Sequence, residues 1–449
     1  MKLTKLSLRS KLSKILCWAM SAAELLSITS KFFLTSLTSA LLLVGCVDDD
    51  GSWAYVPYDR PVANDSCSGT LPVLYVVTDS LRPVISREES VWASMYVDDG
   101  DGEGRSNGWL RLKIRGRGNY TWTHYEKQPY HLKLEKACGL LGMNESRTFL
   151  LLAHADDEVG FLRNAVGFEI SRCMGFKFTP MQRPVELVIN GDYRGLYFLT
   201  ENIGVERHRL NIGVQSNGET DANRVRGGGW LVEIDNYSSD HQIRYAPYVY
   251  GLRSFNITYH EPEVLSDVQY DYLYNEFLRF LKSIRSVDKT VTDWADVVDV
   301  DWLARYYIVM EVIDHVEAFL GSTYLYKDIG DERWIFGPLW DLGNAFNGWH
   351  SKQQFIYQSS GFPASFMNYV VLFPLFQQKV REHWPEFYPD VYLHINDYID
   401  DYAREIAAAV RSNFLRWPLY GNEDEYERAQ TVKSRLQEKV EFLNVAFGN

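Results

Sequence analysis

The sequence predicts an α+β fold in two parts, a β-rich N-terminal half and a mostly helical C-terminal half that carries one hairpin. Three observations predict it. From Leu71 to about residue 261, apolar residues alternate in short runs (LPVLYVVT, VWASMYV, WLRLKIRG, HLKLEK), the pattern of half-buried strands. After residue 262 the spacing lengthens, and 262–285, 293–319 and 366–448 read mainly as helix. Between those helices, STYLYKD and RWIFGPLWD (322–341) read as a strand pair.

The elements follow in order. The first strands are broken by the turn-rich DDGDGEGRSNG, and RTFLLLA is a short apolar strand. VGFLRNAVGFEISRCMG (159–175) has helical spacing, with Phe161, Val166, Phe168, Ile170 and Met174 apolar. PVELVINGDYRGLYFLTENI (184–203) is a hairpin with Asn190-Gly191 at the turn, and WLVEID is a further strand. No internal repeat interrupts this order. The 46% hydrophobic content is enough for a large core, and the 29 Tyr and 13 Trp are assigned to it first, although such rings also line sugar-binding surfaces.

The N-terminus stands apart. After Lys31, residues 32–45 form an uncharged stretch too short to span a bilayer, which suits the h-region of a signal peptide. The chain therefore divides into a signal segment (1–45), an acidic tether (46–70), a β-rich lobe (71–261) and a helical lobe (262–449) with its hairpin at 322–346. The first 45 residues carry six Lys/Arg and one Glu, so their removal takes the formal charge from −13 to −18. A surface this acidic repels phosphate backbones and argues against a nucleic-acid partner. Cys67, Cys138 and Cys173 lack metal-type spacing and allow at most one disulfide.

Several short stretches carry chemistry. Arg115, Gly116, Arg117, Gly118 and Asn119 combine guanidinium forks with small residues, a set that binds phosphates or forms a tight turn. Lys127 and Lys133 flank an alternating strand. Lys133 is the favoured phosphate contact, because Leu132 and Leu134 would face the core while it faces a cleft. Arg163 and Asn164 either face that cleft or cap a helix. Glu201, at the end of the hairpin, either pairs with a cleft lysine or lies on the surface. In IFGPLWDLGNAF, Asp341 stands alone among large apolar side chains, where a buried carboxylate needs neutralising by a cation or an arginine. The signatures G-x-S-x-G and H-E-x-x-H are absent, and nothing sets two carboxylates at glycosidase spacing.

A β lobe with one helix, followed by a helical lobe whose hairpin ends in an Asp, is the plan of a protein kinase, in which ATP lies between the lobes. The usual kinase motifs are missing. Instead IRGRGNYTW, KQPYHLKL, FLRNAVG, VELVINGDYRGLYFLTENI and YLYKD…WIFGPLWDLGNAF occur in order, and together they resemble the CotH kinase family of atypical secreted kinases over about residues 71 to 350. The resemblance implies a two-lobed atypical kinase-like fold that uses ATP with Mg²⁺ or Mn²⁺. Asp341 would hold metal and Asn344 would add an amide oxygen. Arg115, Asn119, Lys127 or Lys133, Arg163 and Asn164 would border the nucleotide, and Glu201 would position the lysine. Glu317, or Asp314 three residues earlier, would orient the acceptor hydroxyl. The sequence departs from the family pattern at Gly343, where a second Asp is common, and at Glu317, where an Asp is common.

Leu43-Val44-Gly45-Cys46 resembles a bacterial lipobox, which implies lipidation at Cys46, and the acidic residues after it resemble a surface-export signal. These features imply a protein held at the outer membrane or cell surface by its N-terminal lipid alone, phosphorylating an extracytoplasmic protein. The alternative is a weak or inactive kinase-like module that holds glycan or protein.

Overall fold

A computed structural model describes residues 46–47, 53–54, 60–100, 108–157, 159–237, 239–245, 255–348, 351–359, 364–418 and 424–448. The signal segment, most of the tether and the Cys46 side chain lie outside the described residues. The chain divides into two compact units, Met1–Pro57 and Tyr58–Asn449. In the first, Cys46–Val47 pairs antiparallel with Trp53–Ala54. The second holds every element below.

The β-rich part closes on itself. Strands β1 (Val73–Thr78), β2 (Val91–Asp98), β3 (Leu110–Gly116), β4 (Tyr130–Cys138), β5 (Ser146–Leu152), β6 (Gln182–Ile189) and β7 (Asp192–Glu201) form a barrel in the order β1-β2-β3-β4-β5-β7-β6. Closure comes from the parallel pairing of β1 with β6, Val73 opposite Glu186 through Val76 opposite Ile189. The alternation seen in the sequence now has its reason: Leu74, Val76, Leu112, Ile114, Leu132, Leu134, Phe149 and Leu199 point inward and are fully or almost fully buried. Strands β5 and β7 are buried on both faces, since Leu150, Leu152, Leu196 and Phe198 pack outward on the helices, which explains their unbroken apolar runs. At the β6–β7 turn, Asn190 (φ +52) and Gly191 (φ +81) both take the left-handed conformation that a tight hairpin turn demands.

A second, five-stranded sheet joins strands from both sides of residue 262. Strands β8 (Trp230–Ile234), β9 (Gln242–Arg244), β10 (Asn256–Glu261), β11 (Thr323–Lys327) and β12 (Ile335–Phe336) run in the order β9-β10-β8-β11-β12. The expected second strand of the 322–341 hairpin stops after two residues. Gly337-Pro338 follows it, and proline has no N–H for the ladder.

Six longer helices complete the unit: α1 (Arg163–Cys173), α2 (Asp267–Ser283), α3 (Val300–Val312), α4 (Pro374–Phe387), α5 (Asp390–Arg416) and α6 (Glu425–Phe447). Their starts follow capping chemistry. The Ser266 hydroxyl accepts from Gln269 N, and Gln269 answers at the Ser266 backbone. Asp299 accepts from Trp302 N and Asp424 from Tyr426 N. Helix α1 begins later than its apolar spacing suggests, because Gly160 (φ +77) and Phe161 (φ +69) are left-handed. Among the described residues, no helix is long and apolar enough to cross a membrane. A β-rich N-terminal region and a helical C-terminal region are thus observed, with the β-rich region closed into a barrel that the sequence pattern did not reveal.

Candidate active site

The chain from Ile335 to Asn347 explains Asp341. Leu339 and Leu342 are fully buried and anchor the segment. Between them the backbone turns through a left-handed residue, Asp341 itself (φ +55), which throws its side chain out of the apolar layer. The expectation of a carboxylate sealed among apolar neighbours is corrected here, since Asp341 is exposed to solvent. Helix α1 backs the segment closely. A Cβ added at Gly167 would lie 2.2 Å from Leu342 Cδ1, so a larger residue there would push the Leu342 side chain aside. Asp314, Phe319, Ser322, Asp341 and Phe346 all have positive φ. Non-glycine residues held this way tend to gather at functional sites.

Three carboxylates face one another around this turn. Asp341, Glu317 and Asp156 are each shifted upward in pKa, first by burial under the surrounding protein and then by nearby carboxylates: Asp341 and Asp156 act on Glu317, Asp157 and Asp341 on Asp156, and Glu233 on Asp341. Solvent reaches Asp341 and Glu317, yet protein surrounds them closely enough to cost them hydration. Against these charges stands Arg117. Burial works against its guanidinium, and Asp341 and Tyr324 support it. The Ser322 hydroxyl donates to Asp341 Oδ2 at 3.3 Å. Asn344 donates its amide to Glu317 Oε2, which orients that carboxylate and leaves the amide oxygen as a ligand atom. Strands β8 and β11 set Glu233 beside Tyr324, close enough for its charge to raise Asp341. Glu233 lies 2.8 Å from His260 Nε2, and Asp235 is raised to about 6 by burial and by Glu233.

A basic strip leads into this cluster along the outer face of the barrel. Arg115 stands opposite His131 and Lys113 opposite Lys133 in the β3–β4 register. Like charges directly opposed across a ladder destabilise it unless an anion lies over them. His131 registers the field: burial, Arg115, Arg117 and Lys133 together lower it to about 4.

The donor set suits a hard divalent cation. Acids predominate, the guanidiniums of Arg117 and Arg163 oppose them, and an amide and a hydroxyl stand alongside. Among the described residues, no three of the cleft acids bring ligand atoms within 4.8 Å of one another.

The other sequence-selected residues lie in varied surroundings. Arg163 is 3% exposed and donates from Nη1 to Gly343 O (2.6 Å) and Asp156 O (3.3 Å), tying together the two loops that carry Asp341 and Asp156. Asn164 is buried beside it, and its Oδ1 has no hydrogen-bond partner within the structure. Lys133 is exposed in the basic strip. Lys127 is fully buried, and its ammonium donates to Ala153 O (2.8 Å) and Leu196 O (2.6 Å) between the rings of Phe161 and Tyr197. Burial lowers its pKa well below that of an ordinary lysine.

Glu201 is buried away from both lysines. It accepts from Met181 N at 2.9 Å and lies near Asn144 and Arg209. Asn119 is exposed and accepts from Arg87 Nη1, while Arg115 donates to Arg87 O. Of the two glycines expected to admit phosphate, Gly116 is occupied otherwise. The Trp122 ring packs where its Cβ would be, and its N–H donates to Ser86 O. Asp314 is sealed inside, held by Lys352 and by Lys439 at 3.3 Å.

Sequence reasoning left Asp156, Glu233 and Asp235 unassigned. The signal for Asp156 was present, a carboxylate at the end of a strand just before a cleft helix. Glu233 and Asp235 become site residues only because β8 pairs with β11.

The model of the CotH kinase protein family matches residues 114–442, well over half of the chain and inclusive of Arg117, Asp156, Glu317 and Asp341. No curated protein matches the chain. The chain belongs to the CotH kinase protein family.

Proposed function

We propose that the chain is an atypical kinase of two-lobed plan that uses ATP with Mg²⁺ or Mn²⁺ to phosphorylate a Ser/Thr hydroxyl on an extracytoplasmic protein. The observation that carries the reading is the set of three mutually repelling carboxylates, Asp156, Glu317 and Asp341, at the end of a strip of Arg and Lys side chains. A divalent cation at Asp341 and Asn344 would supply charge neutralisation for the phosphates. Arg117 would take phosphate oxygens through its guanidinium fork, with Arg115 and Lys133 extending the strip. Glu317, held by Asn344, would accept the proton of the attacking hydroxyl, and its upward shift by burial makes it a stronger proton acceptor than an ordinary glutamate. Arg163 would hold the Asp156 and Asp341 loops at fixed separation, and positioning is most of what phosphoryl transfer asks of a protein.

The N-terminal residues support an anchored location for this activity. Lipidation at Cys46 would hold the chain at the outer membrane or cell surface, with the acidic stretch after it as tether.

The test is thermal unfolding with and without ATP and Mg²⁺ or Mn²⁺, on wild type and Asp341→Asn. Saturating nucleotide at about 100 times its Kd stabilises by about 2.7 kcal/mol. The expected result is a metal-dependent rise in Tm that Asp341→Asn abolishes. One observation favours a second reading, a kinase-like scaffold for glycan or protein: Gly343 leaves the Asp341 loop one carboxylate short. A Tm that responds to polysaccharide and to no nucleotide decides for the scaffold.

A further inference from the structure

We infer that Glu169, Cys173 and His394 form a zinc-type metal site on the outer side of α1, separate from the carboxylate cleft. Glu169 and Cys173 are four residues apart on α1 and therefore share a face. The first turns of α5, packed against α1, bring His394 to the same face. His394 Nε2 lies 2.8 Å from Glu169 Oε1, and the carboxylate, imidazole and thiol donor atoms all lie within 4.8 Å of one another.

Chemistry selects the metal. Tetrahedral zinc takes sulfur at about 2.3 Å and nitrogen or oxygen at about 2.0–2.2 Å, which places the ligand atoms roughly 3.3–3.7 Å apart. The observed separations, all within 4.8 Å, bracket that spacing. A thiolate with an imidazole suits Zn²⁺ and disfavours Mg²⁺ or Ca²⁺, which prefer all-oxygen shells. Three protein ligands leave a fourth position for water. Cys173 is a free, exposed thiol, and zinc binds the thiolate. Metal binding therefore releases its proton.

Arg172 is the competitor, since its guanidinium pairs with Glu169 at 2.8 Å. Its side chain is 42% exposed and can turn to water when a cation takes the carboxylate. Once occupied, the site would staple α5 to the C-terminal end of α1. The other end of α1 carries Arg163, which holds the Gly343 carbonyl beside Asp341. The inference stands whether or not the chain transfers phosphate.

The experiment is a Co²⁺ titration of the full chain, reduced and stripped of metal, followed by absorption. The expected result is a thiolate-to-cobalt charge-transfer band with tetrahedral d–d bands, displaced by Zn²⁺. Both bands should vanish in Cys173→Ser, and binding should weaken at least tenfold in His394→Ala. Asp341→Asn should leave them unchanged. Metal-free melting curves of the two site variants, matched to wild type, keep misfolding from imitating the loss. The site is refuted by absence of a thiolate band, or by a band that persists in Cys173→Ser. Unchanged binding in His394→Ala, or loss of the band in Asp341→Asn, refutes it equally. Any of these results leaves the trio as an ion-pair cluster.

Discussion

The turn that follows α3 carries acids into two settings. On its inner side, Glu311 and Asp314 are at most 1% exposed and meet two lysines, Lys439 at 2.8 and 3.3 Å and Lys352 on Asp314. On its outer side, Glu317 meets Asp341 and Asp156, with Arg117 and Arg163 the cations among them. The first cluster balances its charge from within the protein and locks α6 to α3. The second leaves negative charge in excess and open to solvent. An unbalanced cluster costs stability in the free protein, and it has reason to exist where a cation completes it.

The largest expected effect lies in the balanced cluster. Lys439→Met leaves Glu311 and Asp314 short of a counter-charge and should cost about 3–5 kcal/mol, read from urea unfolding and unaffected by added metal. Similar losses from Asp341→Asn would erase the distinction between the two settings. Next comes Glu317→Gln, which should cut phosphoryl transfer about 10²-fold or more while the nucleotide-induced Tm shift persists. Loss of both together would reassign Glu317 to binding. Lys127→Met should cost about 1–3 kcal/mol through two unmet carbonyls, with nucleotide affinity unchanged. A nucleotide shift abolished by this variant would bring Lys127 into the site.

The smallest effect is in pH. Asp235 titrates near 6 in the fold, above the ordinary carboxyl range, so its stabilising contribution is present at low pH and is lost as pH rises from about 4 through 6. Asp235→Asn should therefore melt above wild type at pH 7, and the gap should close at pH 4.5. A gap that widens on acidification would reverse the sign assigned to this carboxyl.

Much of the fold was legible in the sequence. Period-two runs located the barrel strands that bury one face, unbroken apolar runs marked β5 and β7, which are buried on both, and Asn190-Gly191 marked its turn because few other pairs take positive φ twice. Barrel closure was not legible, since it depends on β1 pairing with β6 more than a hundred residues later. The site was legible in part. Asp341 and Glu317 were selected, but the apolar neighbours of Asp341 suggested burial, and a single left-handed backbone angle reversed that. The alternation around Lys133 pointed it outward, but nothing in the sequence marked Lys127 as interior. Lys127 is spent on two carbonyls inside the fold and Lys133 is exposed.

By itself the sequence determined the secondary structure, the family pattern and the kinds of donor atoms available, because these depend on residues near one another along the chain. Only the tertiary structure decided which acids are neutralised. Asp314 and Glu317 stand three positions apart, yet the lysines that silence one and the carboxylates that crowd the other arrive from distant segments, and Coulomb energy follows separation in space rather than along the chain.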